Sequence, residues 1–301
     1  AMFERQAPQA DQPKTMLPTD PKNIWMEGIG LIGLGANAKA ASIAGDLVVQ
    51  NARVRAIGED AGGFRPISEK DLFDCEYWSL EQAKLGKGAP PKFQGKVVMI
   101  TGGSGTIGFA IAEAFSKLGA QTILVDKDEI ALKESVTKLG VGHKYFPIDV
   151  THSDAANQAL LAAINNFGGL DILISNAGAA HAGPMLDISN EELRNAFELN
   201  FFSHYSFSTE AAKILKDQNR GGQILFNISK QAVNPGKNFG AYGLPKATTF
   251  FLMRQLALEL GSDGIRVNGI NADRIRSGLL TDEFISSRAK SRGVSESEYM
   301  A

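Results

Sequence analysis

Past residue 95 the chain alternates short, almost wholly apolar runs with longer stretches of helical period. Val97, Val98, Met99 and Ile100 stand in a row with no polar face, the signature of a strand buried on both sides of a sheet. Comparable runs predict strands at 96–101, 121–126, 143–148, 170–175, 222–228 and 265–270, with helical patterns between successive pairs. Strands that alternate with helices in this way pair in parallel, so the pattern predicts an α/β fold with a doubly wound parallel sheet. A seventh strand and its helix would come next, but the 31 residues after Ile270 are polar and hold no clear buried strand. The expected sheet therefore lacks its last strand, in a domain over 95–301 that is truncated at its C-terminal end.

Upstream the pattern changes. Residues 1–23, with Pro8, Pro13, Pro18 and Pro21 among polar neighbours, carry no sustained period and predict a mobile tail or extended arm. Residues 24–94 predict a small strand-helix appendage and a linker. The appendage has a short apolar stretch, a helical segment from Ala36 to about Ile57, and loop residues Gly58, Gly62, Gly63 and Pro66. The linker runs from Leu80 to Gly95 and holds Gly86, Gly88, Pro90 and Pro91.

Composition narrows the function classes. With 301 residues and 44% hydrophobic positions the chain can bury a full core. Its 31 Lys and Arg against 33 Asp and Glu form no basic cluster, which argues against nucleic acid or a membrane surface as partner. No run of about 18 apolar residues and no signal-like N-terminus is present, so a cytoplasmic location is expected. A single cysteine, Cys75, excludes an internal disulfide and reads as a buried or incidental thiol.

The stretch Lys96–Gly108, KVVMITGGSGTIG, ends its strand in a glycine turn and opens a helix. Gly102, Gly105 and Gly108 leave room for backbone to approach a pyrophosphate, and Ser104, Thr106 and Ile107 complete a turn that exposes backbone N–H groups at a helix N-terminus. Asp126, at the end of the next strand, stands where a ribose 2′-hydroxyl acceptor is expected. A structural turn in some other α/β domain could carry the same glycines; the strand–turn–helix–strand context favours a dinucleotide. Gly28, Gly30 and Gly33 match a similar spacing, but no second strand ending in an acidic residue follows them, and a second nucleotide site is not expected.

Further along, Asn176, Ala177 and Gly178 follow the strand LDILIS and would lie beside the phosphate turn, although a tight turn alone would explain an Asn and a Gly. Ser229 ends the fifth strand, and Tyr242 and Lys246 stand four residues apart at the start of a helix, where they share a face. A phenol with an ordinary pKa near 10 is a poor base, and a nearby ammonium is expected to lower it and make Tyr242 a usable acid or base. By itself this spacing is more often an amphipathic pair with a solvated lysine.

Together, the glycine turn, Asn-Ala-Gly, Ser229 and Tyr242-x-x-x-Lys246 resemble the short-chain dehydrogenase/reductase family over about 95–275, a Rossmann fold. The resemblance implies Tyr242 as proton donor or acceptor, Lys246 as its modulator and a ligand of the nicotinamide ribose, and Ser229 as a hydrogen-bond partner of the substrate oxygen. It also implies that Asn200 anchors a relay water and that Asp149 and Val150 line the adenine pocket. As bare residues these read as a helix polar position and a strand-end turn. Departures are the position of the middle glycine, Pro245 inside the Tyr–Lys spacing, which requires the helix to start close to Ala241, and Asn271, Ala272 and Asp273 where most members have Pro-Gly.

The stretches IWMEGIGLIGLGANAKAASIAGDL and LFDCEYWSLEQAKLG resemble the end of a sugar-phosphate aldolase domain and its linker in bifunctional rhamnulose-phosphate aldolase/short-chain dehydrogenases. The four histidines, His143, His152, His181 and His204, show no ligand-like spacing, so neither a metal nor aldolase activity is expected. Asp126 favours NAD, and Lys127 beside it keeps NADP as the weaker alternative. The resemblance implies a small carbohydrate-derived substrate such as lactaldehyde or a sugar-alcohol phosphate, and a homo-oligomer, dimer or tetramer. Leu186, Phe239, Leu279 and Phe284 are candidates to line its pocket. The alternative is a catalytically impaired dinucleotide-binding module or a structural partner of an aldolase.

Overall fold

Alternation along each central strand decides which helices cover which face of the sheet. In β3 (Val97–Thr101) the side chains of Val97 and Met99 join one core with Ile123 and Val125 of β4 (Gln121–Asp126), while Val98 and Ile100 join a second core with Leu124. Every one of these residues is buried. Two cores on opposite faces of the same strands require helices on both sides, and that is the arrangement found in the computed structural model. The structure describes residues 2–83, 85, 89–275 and 280–300. Gly86, Gly88 and Leu279 lie outside them.

The described residues form two compact units, 1–92 and 93–301. In the first, α1 (Met2–Gln6) is followed by a hairpin of β1 (Asn23–Met26) and β2 (Gly30–Gly33), which pair antiparallel, and then by α2 (Ala38–Asp60), α3 (Glu69–Glu76) and α4 (Ser79–Gln82). Residues 1–23, expected to be a mobile arm, instead begin with a helix: Phe3 lies against Phe73 and Tyr77, and Arg5 pairs with Glu69 at 2.6 Å. An aromatic contact and an ion pair with residues over 60 positions away leave no periodic trace in a short segment. The second glycine triplet proves to be hairpin chemistry. Gly28 in the turn and Gly30 at the start of β2 take positive φ, and a Cβ on Gly33 would meet the Ala41 carbonyl oxygen of α2. Cys75, on α3, is exposed.

The second unit carries β3 and β4 with β5 (Lys144–Pro147), β6 (Ile172–Ser175), β7 (Gly222–Asn227) and β8 (Ile265–Ile270) in one parallel sheet. Their order is β5-β4-β3-β6-β7-β8. Six strands in this order are the doubly wound arrangement predicted from the sequence, and the direction of winding reverses between β3 and β6. Between strands lie α5 (Thr106–Lys117), α6 (Glu129–Leu139), α7 (Ala155–Phe167), α8 (Asn190–Phe197), α9 (Ser203–Gln218) and α10 (Gly240–Leu260). After β8 come α11 (Asp282–Arg292) and α12 (Glu296–Met300), whose Ile285, Ala289 and Tyr299 make a small core of their own.

One local device matters for the site. Between α8 and α9 the helix widens into a π turn, Glu198–Phe202, that contains Asn200. Such wide turns interrupt the regular backbone ladder and re-aim a side chain, and they are common at functional sites.

Candidate active site

The C-terminal ends of β3, β4, β6 and β7 open onto one cavity of about 370 Å³. At its floor is the glycine turn. Gly102 takes φ of +64°, and a Cβ on Gly108 would sit 2.1 Å from the Gly102 carbonyl oxygen, so only glycine lets α5 start this close to the turn. A Cβ on Gly105 would meet nothing closer than 3.4 Å: its missing side chain keeps space open on the cavity side of the helix N-terminus. Thr106 and Ile107 line the same wall. The Ser104 hydroxyl turns back and donates to Asp126 Oδ2 at 2.7 Å, while Asp126 Oδ1 accepts from the Lys127 amide at 2.8 Å. Asp126, Lys127, Asp149 and Val150 all face the cavity. Asp149 is held below the ordinary carboxylate range chiefly by the Thr151 backbone N–H, with the Thr151 hydroxyl adding to it.

Asn176 stitches the strands together. Its amide group donates to the Thr101 carbonyl at 2.9 Å and its oxygen accepts from Asn227 Nδ2 at 2.9 Å, which ties the ends of β3, β6 and β7. Asn227 carried no signal in the sequence, because a polar residue at a strand end is too common to single out. Gly178 is a close-approach glycine: a Cβ there would lie 2.8 Å from Asn200 Oδ1 and 3.4 Å from Lys246 Nζ. Asn200 donates to the Ala179 and Ala196 carbonyls, yet its Oδ1 is buried without a hydrogen-bond partner.

Helix α10 begins at Gly240, one residue before the expected start, so Pro245 falls in its second turn, where it omits a single backbone hydrogen bond. Tyr242 and Lys246 leave its buried face together, with Lys246 Nζ 5.8 Å from the phenol ring centre. Ser229 hydrogen-bonds to Tyr242, which draws the phenol toward ionisation. Burial outweighs that and pushes the Tyr242 pKa above its ordinary value. The lysine is itself brought down to about 7 by burial. The expectation that Lys246 depresses Tyr242 is therefore corrected for the protein by itself: desolvation disfavours both charged forms in so dry a site.

Tyr242 and Ile107 also border a second cavity of about 500 Å³, with Ser229 on its wall. Phe239 and Phe284 line it with ring centres 6.2 Å apart, and Arg288 lies over both rings. Lys230, beside Ser229, pairs with Asp273 at 2.9 Å and so fastens the segment after β8. Leu186, a candidate for this wall, is instead 99% exposed. Among the described residues no group of three or more His, Cys, Asp or Glu side chains is gathered for a metal ion.

Residues 96–285 match the short chain dehydrogenase family. The chain belongs to that family. Residues 1–85 match the second domain of class II aldolases. Uncharacterized oxidoreductase YuxG of Bacillus subtilis is 32% identical over 285 residues, which cover 92% of this chain but only 41% of that relative. The 7alpha-hydroxysteroid dehydrogenase of Escherichia coli is 34% identical over 182 residues, 60% of this chain and 71% of that one. Among solved structures, a 3-ketoacyl-(acyl-carrier-protein) reductase from Brucella melitensis complexed with NADH superposes with a TM-score of 0.62 at 27% identity, covering 65% of this chain and 82% of that one. This short-chain dehydrogenase is accordingly an oxidoreductase of a family that uses NAD(P). Its glycine turn, the cradle at Gly178 and the unpartnered Asn200 Oδ1 fit such a cofactor.

Proposed function

We propose that this chain is an NAD-dependent oxidoreductase that exchanges hydride with a small hydroxy or carbonyl compound of carbohydrate origin. The observation that carries this reading is the placing of Tyr242 on the border of both cavities, with Ser229 on one side and Lys246 behind it. The glycine turn, Asp126, Asp149, Val150 and Asn176–Gly178 would hold the dinucleotide. A dinucleotide held there would supply the hydride acceptor and, in its oxidised form, a positive charge. Ser229 holds the substrate oxygen by a hydrogen bond. Tyr242 takes the hydroxyl proton as the C–H hydride leaves, and returns a proton in the reverse direction. Lys246 steadies the phenolate electrostatically and binds the ribose hydroxyls. Asn200, through its free Oδ1, holds a water that passes protons on.

Asp126 supports NAD over NADP, because a carboxylate repels a 2′-phosphate. The match of residues 1–85 to an aldolase domain supports a short sugar-derived substrate. The second cavity has an apolar wall at Phe239 and Phe284, which suits the methyl end of lactaldehyde, and basic side chains at Lys230 and Arg274, which suit the anionic end of a sugar-alcohol phosphate. The test is NADH formation over a panel of hydroxyaldehydes, polyols and their phosphates, with calorimetric NAD titration of the same sample. Turnover on one class supports the reading. Tight NAD binding with no turnover on any of them would favour a binding module without catalysis.

A further inference from the structure

A fully buried imidazole beside Lys246 belongs to a residue that the proposed chemistry leaves unused. His204 stands on the first turn of α9, just after the π turn, and is 1% exposed. Its Nδ1 lies 2.6 Å from the Ser175 hydroxyl at the end of β6, and its Nε2 lies 3.3 Å from Lys246 Nζ. The ring centre lies 6.1 Å from that of Phe226. Lys246 Nζ meets one further acceptor, the Asn227 carbonyl at 3.1 Å. Among the described residues no carboxylate pairs with it.

An ammonium has donors and no lone pair. Facing it, His204 Nε2 must be the acceptor, so the ring proton sits on Nδ1 and donates to Ser175 Oγ. Burial and the Lys246 charge oppose protonation of the ring and outweigh a hydrogen bond to the Ala177 backbone that favours it, which holds His204 neutral. A neutral, oriented imidazole is thus one of two acceptors that the buried lysine finds among the described residues.

We propose that His204 is a positioning residue for Lys246: its Nε2 accepts from Nζ and, with Ser175 holding the other ring nitrogen in place, keeps the ammonium behind Tyr242. The groups that face this pair are Ser175, the backbone of Ala177, the Asn227 carbonyl, Asn200 Oδ1 across Gly178, and Tyr242 itself. None of them carries a negative charge at neutral pH while the phenol is protonated. Each acceptor on Nζ therefore has a large share in keeping Lys246 charged. Removing His204 lets the lysine lose its proton at lower pH, and Tyr242, without that charge, stays protonated to higher pH.

The role in turnover rests on the function proposed above, but the hold on Lys246 can be read without substrate. NMR titration of protein labelled with 13C-lysine, with the Lys246 signal identified by its loss in Lys246→Met, gives the midpoint directly. The expected result is a midpoint about one pH unit lower in His204→Phe and restored toward the parent value in His204→Gln, whose amide oxygen can accept from Nζ. Ser175→Ala, a milder change, should move it the same way by less. In the oxidation direction the acid limb of the kcat profile should shift upward in the same variants, with the KM for NAD changed less than kcat. An unmoved midpoint in whichever of His204→Phe and Ser175→Ala folds would overturn the proposal. A parent enzyme without turnover would sink the proposed function and leave the titration result standing.

Discussion

At the scale of single residues, Lys246 carries a cost that exposes its role. An unfolded chain protonates this lysine up to its ordinary value of 10.5, whereas the folded chain does so only up to about 7. Between those limits the unfolded state binds more protons, so stability rises with pH through that window and the whole cost is present below it. Replacing Lys246 by methionine should therefore raise Tm by a few degrees at pH 6 to 7, fading toward pH 10, while turnover is lost; thermal unfolding across that range checks it. A Tm that falls at every pH would mean that the hydrogen bonds of Nζ outweigh its desolvation. At Asp126 the expected change is one of preference. Asp126→Ser should lower the ratio of kcat/KM for NAD over NADP by at least about tenfold, an effect of about 1.4 kcal/mol. An unchanged ratio would remove the reason for proposing NAD.

At the scale of elements, the junction of β3 and α5 is the least forgiving part of the fold. Gly108→Ala would set a methyl 2.1 Å from the Gly102 carbonyl, a backbone atom that cannot rotate away. We expect a loss of about 1–3 kcal/mol in urea unfolding and weakened dinucleotide binding. Gly105→Ala should keep the fold and lose binding only, because nothing inside the protein meets that methyl closer than 3.4 Å. The two variants thus separate packing from ligand contact.

Much of this junction was legible in the sequence, since a doubly buried strand and a glycine turn each leave a local pattern. The six strands were legible for the same reason. The π turn at Asn200 was not, because one wider helical turn changes no periodicity that a window can detect. Nor was the link from Ser175 through His204 to Lys246, which joins residues 29 and 42 positions apart. His204 in sequence is one histidine among serine and aromatic neighbours, and only the fold brings it to the lysine. The raised Tyr242 has a similar origin: spacing shows the ammonium nearby, whereas only the packed structure shows how little water reaches either group.

At the scale of the whole molecule, α9 and α10 leave large apolar side chains uncovered on the second unit. Phe202 ends the π turn before α9, Tyr205 lies on α9, and Phe251 and Leu258 lie on α10. We propose that these helices pair two copies of the chain, and Phe251→Glu combined with Leu258→Glu should shift its mass in solution toward the monomer by light scattering. A parent chain that is already monomeric would contradict the proposal. In the proposed function an intact Tyr242 constellation exchanges hydride beside a dinucleotide site that can bind without it. Tyr242→Phe separates the two when turnover and NAD affinity are taken from the same samples as the parent's. Turnover should fall by about 100-fold or more with NAD affinity nearly unchanged. An equal rate in the two proteins would contradict it.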